Sequence, residues 1–178
     1  MALADDLEQA AAAAAMYGEV TAVLAAEPTV GVRTYLVALG DEDARRWLVL
    51  DGDLRPVEER ERVRETASIV VLCELAGDLA GGGQLEELRG QLAEVRMTEQ
   101  PQGIEAAEEA ALALERAIGA APIVASAAYL DEVGTATRKL EEALGEHASP
   151  FVNALASSTG TVEAFVAEVE ERHALPLR

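Results

Sequence analysis

Between Val32 and Asp51 the chain carries two short runs rich in β-branched and aromatic residues, Val32 to Leu39 and Arg45 to Leu50, joined by Gly40-Asp-Glu-Asp-Ala44. Set in sequence dominated by Ala, Leu and Glu, this pattern reads as a β-hairpin: strand-forming runs bounded by a turn-forming segment of suitable length. It limits the fold more than any other feature. A lone hairpin is at best marginal in water, so further strands, helices or another molecule must be laid against it. The hairpin also holds the single Trp, Trp47, and Tyr35, one of three Tyr, in a protein that is 3% aromatic. Alternation puts Trp47 and Val49 on one face with Arg45, and Leu48 and Leu50 on the other with Arg46. Both faces are therefore apolar, as in a strand pair that is sandwiched or extended.

The remaining sequence reads as helix. Leu3 to Ala25 carries the stripe Leu3, Leu7, Ala10, Ala14, Tyr17, Thr21 and Leu24 at alternating spacings of four and three, with Glu27-Pro28 as its stop. Pro56 opens a helix that is charged from Glu58 to Glu65 and apolar from Ala67 to Leu75, and Gly81 to Gly83 end it. Leu85, Leu88, Leu92 and Val95 mark a short helix. After the loop Gln100-Pro-Gln-Gly103 come two stripes separated by Pro122: Ile104, Ala107, Ala111, Leu114 and Ile118, then Ile123, Ala127, Leu130, Val133, Thr137, Leu140 and Leu144. A short helix opened by Ser149-Pro150 and a final one from about Thr161, with Val162, Phe165, Val166, Val169 and His173 inward, complete the pattern. The expected fold is mainly α: a bundle of about seven helices with one two-stranded antiparallel hairpin near residues 32–51. At 178 residues it reads as a single helical domain, with a weak division between residues 1–100 and 104–178.

Charge narrows the function classes. Asp and Glu number 33 against 14 Lys and Arg, a net charge of −19. Such a surface repels phosphate backbones and anionic headgroups, which argues against nucleic-acid and membrane partners. No uninterrupted apolar stretch approaches the roughly 20 residues of a membrane span, and the acidic start does not resemble a signal peptide. The lone Cys73 calls for no oxidising compartment, so the cytoplasm is the expected location.

Candidate chemistry is sparse. Glu170-x-x-His173 has the spacing of a ligand pair in di-iron bundles, but Leu144 stands where a matching Glu before His147 would be needed. Asp41, Glu42 and Asp43 sit at the hairpin tip and Asp51 and Asp53 at its other end, too far apart for one cation, and they read as a polar turn and a strand stop. Arg55, Arg60, Arg62 and Arg64 are interleaved with Glu58, Glu59, Glu61 and Glu65 and read as self-neutralised surface. Ser157 to Thr161 reads as a helix cap rather than an anion nest. Cys73, flanked by Val71, Leu72 and Leu75, reads as a buried thiol. No phosphate-binding loop occurs.

With no catalytic, metal or cofactor residue assigned, the expectation is a non-enzymatic interaction or assembly protein forming a homodimer, or meeting another protein. The contact is expected through the hairpin and first helix, with Tyr35, Val37, Leu39, Trp47, Val49, Leu3, Leu7 and Tyr17 as interface candidates. The alternative is a small-molecule binder, or an enzyme of unrecognised type, with an apolar pocket near Cys73, Tyr129 and Phe165.

Overall fold

A computed structural model describes residues 3–81, 104–119, 124–144 and 149–178. Five α-helices and a four-stranded mixed sheet make up these residues, so the expected bundle with a two-stranded hairpin, and with it the all-α class, is corrected to an α/β fold. The elements are α1 (Leu3–Ala14), β1 (Val20–Thr29), β2 (Val32–Leu39), β3 (Arg46–Asp51), α2 (Arg60–Gly81), α3 (Ile104–Gly119), β4 (Ala125–Ser126), α4 (Ala127–Leu144) and α5 (Ser149–Glu171). The expected helix over Leu85 to Val95 lies outside the described residues.

The decisive correction falls on Leu3 to Ala25. The helix stops at Ala14, a 3₁₀ turn covers Ala15–Tyr17, and the chain then becomes β1. Gly18 makes the switch with φ +158°, a backbone setting that L side chains rarely adopt. A Cβ there would come 3.1 Å from Arg46 Nη2, whose guanidinium donates to the Tyr17 carbonyl at 2.6 Å. Val20, Thr21 and Val23 then favour the extended state. Glu27-Pro28, read as a helix stop, lies inside the strand, where an irregularity between Ala26 and Thr29 accommodates the missing N–H.

The strand order is β3-β2-β1-β4, antiparallel except for the β1–β4 pair. The predicted hairpin is the β2–β3 half of this sheet, in register from Thr34↔Asp51 to Leu39↔Arg46. Of the two ways to satisfy a hairpin with two apolar faces, the chain uses both: β1 extends it and helices cover each side.

The chain forms two compact units. The first comprises Met1–Leu72, Pro122–Ala127 and Thr161–Arg178. In it α1 lies over one sheet face, with Ala10 and Ala14 fully buried against Ala25, Tyr35, Val37, Leu39, Leu48 and Leu50. On the opposite face the Phe165 ring meets Trp47 edge-on, with centroids 5.3 Å apart and planes at 76°. Thr66 of α2 reaches the same face, its Oγ1 3.0 Å from that of Thr34. Val63, Thr66, Ala67 and Val70 supply the buried three-and-four stripe of α2 here.

The Thr34–Thr66 pair gives a first prediction. Both residues are buried, so Thr34→Val leaves the Thr66 hydroxyl without its partner and is expected to cost about 1–3 kcal/mol, whereas Thr34→Val with Thr66→Val is expected to approach wild-type stability. Urea midpoints of the two single variants and the double variant measure this. A double variant less stable than either single one would contradict it.

The second unit spans Cys73–Ala121 with Ala128–Gly160, and its described residues are helical. Ala110, Ala111 and Leu114 of α3 pack with Tyr129, Val133, Ala136 and Leu140 of α4. This agrees with the expected stripes in Ala111, Leu114, Val133 and Leu140. It departs at Thr137, whose hydroxyl donates to the Val133 carbonyl at 2.8 Å. Of the second stripe, Ile123 is outside the described residues. The expected break between a short helix at Ser149 and another near Thr161 is absent: α5 runs unbroken through Gly160.

Candidate functional site

In a sheet whose faces are both covered, the edges decide what else the molecule meets, because an edge strand presents unpaired N–H and C=O groups. The two edges here are treated differently.

The outer edge of β3 is sealed by the chain itself. The Trp47 amide donates to the Arg172 carbonyl at 2.9 Å, and the Trp47 carbonyl accepts from the Ala174 amide at 2.7 Å. Further along, the Val49 carbonyl accepts from the Val57 amide at 2.8 Å and the Asp51 amide donates to the Arg55 carbonyl at 2.9 Å. The remaining donor, the Val49 amide, points at His173 Nε2 at 3.3 Å. His173 thus fills a backbone position in the sheet.

The tail that carries His173 is fixed at further points. The Arg178 amide donates to the Glu58 carbonyl at 2.8 Å, and the Arg60 amide donates to the Arg178 carbonyl at 3.0 Å. Ala174 and Leu175 pack on the α1-side core. Glu170, one turn before, receives Arg60 at 2.6 Å and also Arg64. Burial acts to raise its carboxyl, but the hydrogen bonds and charges of the two arginines outweigh burial and hold it below the ordinary 4.5. The stability from this three-residue cluster is therefore present above pH 4.5 and is lost as pH falls through the lowered value. Glu170→Gln is expected to flatten that part of the acid-unfolding curve, and acid titration followed by circular dichroism measures it.

The outer edge of β1 is the contrasting case. β4 pairs with it only at Ala26 and Glu27. Over residues 20–25 no strand among the described residues lies beside it. Thr21 and Ala22 are exposed, and Leu24 is 43% exposed although its cross-strand partner Leu36 is fully buried. Val30, at the β1–β2 turn, and Val32 are exposed as well. The span from Val20 to Ala26 carries no charge, and Glu19 and Glu27 flank it.

The interface candidates read from the sequence lie elsewhere. Tyr35, Val37, Leu39, Trp47 and Val49 are buried within the first unit. Leu3, Leu7 and Tyr17 are partly buried on the α1-side core. Cys73 and Tyr129 belong to the core of the second unit, where burial first, and the neighbouring Cys73 second, push the Tyr129 phenol up. Phe165 belongs to the first unit, on Trp47, so the three do not share one unit. Cys73 is half-buried rather than fully enclosed.

The polar candidates have structural tasks. Asp41 accepts the Ala44 amide at 3.0 Å; Asp51 accepts those of Asp53 and Arg55 at 2.9 and 3.0 Å. Arg62 pairs with Glu59 and Arg178 with Glu58. Glu170 and His173 face different partners. No group of three or more His, Cys, Asp or Glu able to hold a metal exists among the described residues, and His147 lies outside them. No helix among the described residues is long and apolar enough to cross a membrane.

Sequence reasoning missed the edge of β1 because Thr21 and Leu24 fit a helical stripe. The signal that marks it is the cluster Val20-Thr21-x-Val23 directly after Gly18. No family model matches the chain, and neither a curated protein nor a solved structure matches it.

Proposed function

We propose that the protein is a non-enzymatic, cytoplasmic interaction module that self-associates through the outer edge of β1. The observation that carries this reading is the asymmetry of the sheet: one edge is closed by the chain's own segments, while over residues 20–25 of the other no strand among the described residues is paired and Leu24 is 43% exposed. Antiparallel pairing of two such edges about a twofold axis joins two four-stranded sheets into one and gives the edge backbone groups of both copies strand partners. The uncharged stretch from Val20 to Ala26 is where two copies, each of net charge −19, can approach.

Repulsion between the acidic copies makes association salt-dependent. It is expected to be weak at low ionic strength and to strengthen as salt screens the charge. Sedimentation velocity across concentration and salt tests the proposal. Wild-type protein is expected to reach a dimer and Leu24→Lys to remain monomeric, with an unfolding free energy within about 0.5 kcal/mol of wild type because the site is at the surface. A wild-type monomer under all these conditions, or a dimer untouched by Leu24→Lys, would overturn it.

A further inference from the structure

The closed edge of β3 rests on an unusual substitution: one of its backbone donors is satisfied by an imidazole instead of a carbonyl. Val49 N–H lies 3.3 Å from His173 Nε2, and the other ring nitrogen, Nδ1, lies 2.9 Å from the Leu175 carbonyl. These partners assign the tautomer. Nδ1 carries the proton and donates to Leu175, leaving Nε2 as the acceptor that Val49 requires. The Leu175 amide, 3.3 Å from the same Nδ1, then has no lone pair to meet. Only the neutral ring fits.

We propose that His173 is a proton-operated latch: neutral, it closes the β3 edge; protonated, it sets an N–H against the Val49 N–H and frees residues 172–174 from β3. The neighbouring tail contacts transmit the change, since Arg172 and Ala174 hold Trp47 on either side of the ring. A lost acceptor also leaves the Val49 amide unpaired at a buried position, which favours opening toward water.

The charged groups around the ring leave the sense of the switch intact. Burial pulls the imidazole below its ordinary 6.5, and the Leu175 carbonyl and the charge of Glu58 act against that without reversing it. Other charged residues on adjoining elements include Arg46 and Asp51 at the ends of β3, Glu61, Arg62 and Glu65 on α2 beside Arg60 and Arg64, which Glu170 holds, Glu163, Glu168 and Glu171 on α5, and Arg172 and Arg178 in the tail itself. A histidine with a lowered value in the closed state contributes its full stability above 6.5 and loses it as pH falls from there through the lowered value. Opening is therefore an acid-side event.

Hydrogen exchange on the full chain reads the latch directly. Between about pH 7.5 and about pH 5.5, protection of the Trp47, Val49 and Ala174 amides, corrected for the intrinsic pH dependence of exchange, is expected to fall severalfold. In His173→Gln the same amides are expected to show no such dependence. Because that variant also changes packing, a second measurement uses His147→Gln, in which His173 is the only imidazole. Its ring titration by nuclear magnetic resonance is expected to lie below 6.5 and to coincide with the shift of the Val49 amide. Protection independent of pH, or a titration of His173 that the Val49 amide does not follow, would overturn the proposal.

Discussion

Replacing Trp47 by alanine is expected to cost about 3–5 kcal/mol of stability, the range for removing a buried aromatic ring, and to leave the association state unchanged. Trp47 is only 7% exposed and lies edge-on to Phe165. The guanidinium carbon of Arg45 is 5.8 Å from the ring centroid. Truncation therefore opens a cavity between β3 and α5 and removes a cation–π contact in one step. The indole Nε1 is buried with no hydrogen-bond partner, so no side-chain hydrogen bond is lost and the cost is one of packing. Trp47→Phe keeps an aromatic ring, removes that unsatisfied donor and is expected to lose less than half as much. The backbone bonds to Arg172 and Ala174 survive either substitution, and the β3 edge stays closed. Urea denaturation gives the stability difference and sedimentation velocity the association state. An unchanged midpoint for Trp47→Ala would show that the ring is not packed as described.

The same residue shows what was legible in the sequence and what was not. The strand that holds Trp47, its register partner strand and the turn between them could all be read, because β-branched and aromatic runs around a polar turn report local preference. What covers Trp47 could not be read. Phe165 and His173 lie more than a hundred positions away along the chain, and local pattern carries no information about such pairings. The helices α3 and α4 were legible because their buried faces repeat at three and four over several turns.

The failure at residues 15–25 has a different cause. Alanine and leucine are strong helix formers, and Tyr17, Thr21 and Leu24 happen to continue the spacing set by Leu3, Leu7 and Ala10. The fold overrides that local preference at Gly18, since β1 completes the sheet by pairing with β2 from Val20↔Leu39 onward. At the other extreme β4 is only two residues long, too short for any periodicity to register. Along α5 the hydroxyl-rich Ser157 to Thr161 stretch looked like a cap, yet it lies within a continuous helix. Such residues favour caps without enforcing them. The candidate site follows the same division: the hairpin was legible as the place where covering is needed, while the identity of the strand left unpaired over residues 20–25 among the described residues depended on where β1 begins.

Leu48→Ala and Leu36→Ala are expected to cost about 2–5 kcal/mol each, and the comparison between them is the sharper result. Both side chains are fully buried. Leu48 belongs to the face under α1, with Val37, Leu39 and Leu50. Leu36 lies on the opposite face, two residues along β2 from Thr34, whose hydroxyl meets Thr66 of α2. A sheet packed on one side only would give one large and one small loss, since surface substitutions usually stay within about 0.5 kcal/mol. Two losses of similar size follow only if helices cover both faces. Thermal or urea unfolding of the two variants decides between these outcomes. Neither substitution touches the backbone of β1, so any association through that strand is expected to persist wherever the variants remain folded.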